Sequence, residues 1–92
     1  PVDLSGRRGE FNTKTRDMSI SGSVLGRYDG YILTTQSLHY TDGSNIIYTD
    51  SGITVIGSSS RFSANSGKFE LDTGSLILDG HVDVRVNKVE DF

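Results

Sequence analysis

The sequence contains no cysteine, which excludes a disulfide framework and a thiolate metal site. An excess of positive charge is also missing: 9 Lys and Arg stand against 12 Asp and Glu, for a net charge of −3. Arg7-Arg8 is the one adjacent basic pair and the other cations are scattered, so no basic stripe marks a nucleic-acid partner. No apolar run is long enough to span a bilayer, and no signal-peptide pattern is visible. Nor does any window keep apolar residues at three- and four-residue spacing for long enough to predict a helix. The hydrophobic fraction is 34% of 92 residues, which suits one domain with a modest core. The start on Pro1 rather than Met reads as a fragment of a longer protein.

What the chain does have is alternation, densest in residues 69–86, FELDTGSLILDGHVDVRV. Phe69 and Leu71 bracket Glu70, Leu76 and Leu78 bracket Ile77, and Val82, Val84 and Val86 alternate with His81, Asp83 and Arg85. A period of two is that of a strand with one dry and one wet face. Asp72-Thr73-Gly74-Ser75 and Asp79-Gly80 punctuate these strands, and Asp-Gly between alternating runs predicts a hairpin. Asp29-Gly30 predicts another, followed by a long strand, Tyr31 to Tyr40, bending near residues 35–37. Residues 61–64 read as a short strand and Asn65-Ser66-Gly67 as a tight turn.

The pattern recurs. Phe11 precedes Gly22 by eleven residues, Phe69 precedes Gly80 by eleven, and Tyr40 precedes Gly52 by twelve. Each copy runs aromatic, turn, strand, glycine, strand. The fold class expected is all-β, an antiparallel β-jelly roll or open two-sheet roll of short hairpin-linked strands. Residues 1–92 read as a single domain, with 1–8 and 87–92 as ragged ends.

Catalytic readings of the motifs are weak. Asp72-Thr73-Gly74 matches the aspartic-protease triplet, but one hairpin consumes the residues after it, and turn chemistry explains it. His39 and His81 fall at polar positions of the alternation, without zinc-site spacing. Asp42-Gly43-Ser44-Asn45 lacks the ligand alternation of a calcium loop, and Ser58-Ser59-Ser60 has no partner base. Neither an enzyme nor a cofactor or metal is expected.

Two segments, residues 29–40 (DGYILTTQSLHY) and 73–84 (TGSLILDGHVDV), together with the repeat, resemble the OstA-like lipopolysaccharide-transport family of the LptC and LptA type. The resemblance covers residues 9–86. It implies a periplasmic pair of antiparallel sheets enclosing an apolar groove, with inner-membrane anchoring by an N-terminal helix in LptC-type members. The implied partners are lipopolysaccharide, through its lipid A acyl chains, other Lpt-type jelly-roll proteins, and an inner-membrane ABC transporter. The alternation supplies the candidate groove face: Met18, Ile20, Leu33, Leu38, Tyr40, Ile53, Val55, Phe62, Phe69, Leu71, Leu76, Leu78, Val82 and Val84. Phe11, Val82, Val84 and Val86 are the expected edge-strand contacts, to a partner or to a second copy by strand addition. The competing reading is a purely structural β-repeat, a filament or cell-surface scaffold with a closed, dry core.

Overall fold

In the computed structural model, which describes residues 3–86, the alternation becomes ten strands and no helix among those residues. They are β1 (Asp3–Ser5), β2 (Arg8–Phe11), β3 (Asp17–Tyr28), β4 (Tyr31–Thr41), β5 (Ile46–Thr49), β6 (Ile53–Ile56), β7 (Ser60–Ala64), β8 (Ser66–Glu70), β9 (Ser75–Asp79) and β10 (Asp83–Val86). All pairings are antiparallel. The observed class is thus the expected open, curled roll.

The long strand β4 is the hub. Along one edge it pairs with β3. Along the other, its C-terminal part pairs with β5 and its N-terminal part with β6. From this fork the pairing continues as a first limb, β5–β8–β9, and a second limb, β6–β7–β10. The division recurs beyond β3, where β2 joins the first limb and β1 the second.

The chain crosses between limbs at a line of corners. In β3 the register slips between Ser21 and Val24, a bulge that bends the strand, with Gly22 and Ser23 at positive φ. Further corners lie at Ser51-Gly52, Asn65 and Gly80-His81, and they are tied to one another. Gly52 N–H donates to Asn65 O at 2.8 Å, and Asn65 N–H donates to Gly80 O at 2.7 Å. Gly80 has φ +80°, and a Cβ there would lie 2.9 Å from Asn65 Cβ. Only glycine meets both demands easily.

These corners correct two local readings. Asp79-Gly80 is not a hairpin: β9 pairs with β8, and β10 pairs with β7 on the other limb. Likewise Asn65-Ser66-Gly67 is not a turn, because Asn65 alone separates β7 from β8 and the next two residues are strand. Asp29-Gly30 does form the expected two-residue hairpin, with Tyr28 paired to Tyr31 and φ values of 50° and 83°, as a type I′ turn requires. Of the expected ragged ends, residues before Gly9 contribute β1 and the start of β2, while residues 87–92 lie outside the described residues.

The sequence repeat has a structural counterpart. Directly paired residues share a sheet face, and the pairing Phe11–Met18–Tyr40–Ile47–Phe69–Leu76 is one continuous row across the first limb. Every second position is the aromatic of a repeat copy. The glycine ending each copy, Gly22, Gly52 or Gly80, sits at a corner with positive φ.

The core gathers beside the corners. Val24, Leu38 and Ile47 form one buried cluster, and Ile53, Val55 and Ala64 the other. Leu33 packs against both, which joins the limbs into one body. Burying each Val, Leu or Ile contributes about 1.5–3 kcal/mol. Two polar side chains are buried with them, Thr35 and Thr49. Their hydroxyls lie 3.1 Å apart, Thr49 reaches Ser51 Oγ at 2.9 Å, and Thr35 Oγ1 donates to the Gly52 carbonyl. The two buried hydroxyls thereby keep hydrogen-bond partners.

Candidate functional site

Away from the corners the limbs part and leave a cleft. Its volume is about 460 Å³, within the roughly 300–1,000 Å³ range of ligand sites. The second limb lines it with Leu4, Leu33, Val55 and Phe62, and the first with Leu38, Ile47, Phe69, Leu76 and Leu78. Register explains why these residues meet. Leu4, Gly26, Leu33, Val55 and Phe62 form one row across the second limb. At the open side the tip of the β3–β4 hairpin leans over, and Tyr28 sets its ring edge-on to Phe69 with centroids 5.0 Å apart. That contact links strand ends that share no backbone pairing.

Seven of the residues assigned to the groove from alternation line this cleft: Leu33, Leu38, Val55, Phe62, Phe69, Leu76 and Leu78. The others lie elsewhere. Ile20, Tyr40 and Leu71 pack against the Val24–Leu38–Ile47 cluster, and Ile53 is buried at the corner. Met18 and Tyr40 border a second, more polar hollow together with Glu10, Asp17, His39 and Tyr48. Val84 pairs with Phe62 yet is 52% exposed, and Val82 precedes β10 at 50% exposed. Neither reaches the cleft.

Leu4, Ile47, Tyr28 and Tyr31 were missed. Ile47 was findable, because it continues the row from Tyr40 to Phe69. The tyrosines were findable too: Tyr31 stands two residues before Leu33 on β4 and Tyr28 pairs with it across the Asp29-Gly30 turn, so both continue the inward face.

The motif residues find structural roles. Asp72 accepts from Asn45 Nδ2 at 3.1 Å, which ties neighbouring hairpin tips. Gly74 N–H donates to Glu70 O at 2.8 Å, closing the turn that holds Asp72-Thr73. His39 lies beside Tyr48 with ring centroids 5.2 Å apart. Among the described residues no cluster of His, Asp or Glu is arranged to hold a metal ion.

A family model described as "Lipopolysaccharide-assembly, LptC-related" matches residues 1–87. The chain belongs to this family. No curated protein matches it. Membership places the LptC-related chain in lipopolysaccharide transport alongside other Lpt proteins, in a family of transport and binding proteins rather than enzymes. Such proteins are in general periplasmic and associated with the inner membrane. Among the described residues, no helix is long and apolar enough to cross a membrane.

Proposed function

We propose that the cleft between the limbs holds acyl chains of lipopolysaccharide during their passage. The observation that carries this reading is a cavity lined chiefly by aliphatic and aromatic side chains from both limbs. Such surface is costly when wet, and each CH₂ of a chain buried against it contributes about 0.8 kcal/mol. Loading and release then need no covalent chemistry.

Handover proceeds by strand addition. Among the described residues β1, β2, β9 and β10 each pair along one edge only. Both limbs therefore end in unpaired backbone at both ends of the roll, ready to continue into another β-protein. Phe11, Val84 and Val86 are exposed on those strands and would be covered by the neighbour.

The test is site-specific photocrosslinking in cells making lipopolysaccharide. Probes at Phe62 and Leu76 should capture the lipid, whereas Lys68 and Asp83, on the outer faces, should not. Equal capture at all four positions, or capture at none, would contradict the reading.

A further inference from the structure

The roll is built from a 29-residue unit used three times. Leu4, Leu33 and Phe62 stand 29 residues apart, as do Phe11, Tyr40 and Phe69. Each unit crosses from the second limb to the first and back, and the next unit pairs antiparallel with it. At both interior junctions, inward residues eight apart face inward residues seven apart. Met18 and Gly26 face Tyr40 and Leu33, and Ile47 and Val55 face Phe69 and Phe62. The last unit ends on Leu76 and Val84, again eight apart, and the first begins on Leu4 and Phe11, again seven apart. Five antiparallel steps lead from β1 to β10, and five from β2 to β9. A second copy stacked in the same orientation therefore brings its β1 and β2 antiparallel to the edges that β10 and β9 leave open among the described residues. The interior register, carried across that seam, sets Val84 opposite Leu4 of the second copy and Leu76 opposite its Phe11.

We propose that exposed charges on the terminal strands select this one register, and that the strand they select belongs to a second copy of the chain. This rests on strand addition at the ends of the roll. On the outer face the seam sets Arg85 opposite Asp3 and Asp79 opposite Arg8, an attraction on each limb, and all four are exposed. The equivalent interior pairs are Arg27–Ile32, Ile56–Arg61 and Ser21–Ser37, none of opposite charge. Within one copy Arg85 stands opposite Arg61, a repulsion that a carboxylate on the open side of Arg85 relieves.

Wrong registers are opposed as well. A one-residue slip turns the apolar face outward. A two-residue slip sets Asp83 opposite Asp3 in one direction and Asp79 opposite Glu10 in the other, and directly opposed like charges are destabilising. Asp3 already faces Arg27, and Arg8 lies 3.4 Å from Glu10, so the seam pairs discriminate between registers more than they add affinity. In the selected register the inward row from Leu4 to Val84 runs on into the next copy, and the stack stays open at both ends.

The chain has no cysteine, so pairs can be introduced to read the register. Ser5→Cys and Asp83→Cys fall opposite each other at the seam. Within one copy they lie five strand spacings apart, roughly 24 Å along the sheet, beyond the reach of a disulfide. Oxidation of this double variant should give a ladder of linked oligomers, whereas Ser5→Cys with Arg85→Cys, a two-residue slip, should give traces at most. Equal ladders would overturn the register while leaving strand addition standing. No ladder from either, with a monomer in sedimentation at every concentration, would overturn the second copy as partner. Crosslinking from Phe11 and Val86 to other Lpt proteins then decides whether strand addition falls with it. In a second arm, Asp79→Arg or Arg8→Asp alone should weaken self-association roughly fivefold, and the two together should restore it. In their own copy these positions face Ser66 and Ser21, so circular dichroism should show the fold unchanged. A double variant as weak as the singles, or no change in any of them, would overturn the role of the charges.

Discussion

The two margins of the roll differ in how they are held. At the corners, chain crossings are tied by backbone hydrogen bonds, a buried hydroxyl cluster and apolar side chains such as Val24 and Ile53, 1% and 4% exposed. At the mouth, the limbs meet through a ring contact between Tyr28 and Phe69, and Tyr31 next to it is 45% exposed. The same strands run through both margins. Stability is concentrated where the limbs converge, and the cleft lies where they part. Movement at the mouth need not disturb the corner core.

This contrast can be broken most severely at the corner. Ile53→Ala should cost about 2–5 kcal/mol, the range for truncating a buried aliphatic side chain, measured by urea denaturation. Gly80→Ala should cost about 1–3 kcal/mol, since it forces positive φ on a residue with a Cβ and crowds Asn65. Thermal melting followed by circular dichroism would register it. Thr49→Val keeps the shape but removes a hydroxyl from the buried cluster, and should cost about 1–2 kcal/mol. The smallest effect on stability belongs to the mouth. Tyr28→Leu should change the unfolding free energy by less than about 1.5 kcal/mol, the upper value for an aromatic pair. It should nevertheless alter lipid exchange rates, measured by stopped-flow displacement. A mouth substitution that unfolded the domain as readily as Ile53→Ala would erase the contrast.

The legible part of the fold followed from periodicity. Alternation placed the strands because one face of each had to be dry, and the spacing of Phe11, Tyr40 and Phe69 from their glycines exposed a repeat that is a real row and a real line of corners. The Asp-Gly pairs show the limit. At 29–30 the pair reverses the chain, and at 79–80 it bends the chain onto the other limb. The local chemistry is the same, and the difference lies in which distant strands offer an edge. Asn65 was misread for the same reason. Within the candidate site, facing was legible along strand interiors, as at Leu33, Val55 and Phe62. Depth was not, because which inward residues line a cavity and which fill the core depends on where the limbs diverge. Ile53 and Val55 share a strand face, yet Val55 lines the cleft and Ile53 does not.

On the proposed function, lipid binds to the inner face where the limbs part. Neighbours on β9 test it directly, since Leu76 lines the cleft and Ile77 is exposed on the opposite face. Lipopolysaccharide binding would be compared for Leu76→Asp and Ile77→Asp, each checked for folding by circular dichroism. A carboxylate at position 76 should reduce binding at least tenfold, since a charge facing an acyl chain loses hydration without a partner, while the one at position 77 should leave it unchanged. Equal loss in both folded variants, or full binding by Leu76→Asp, would contradict the claim.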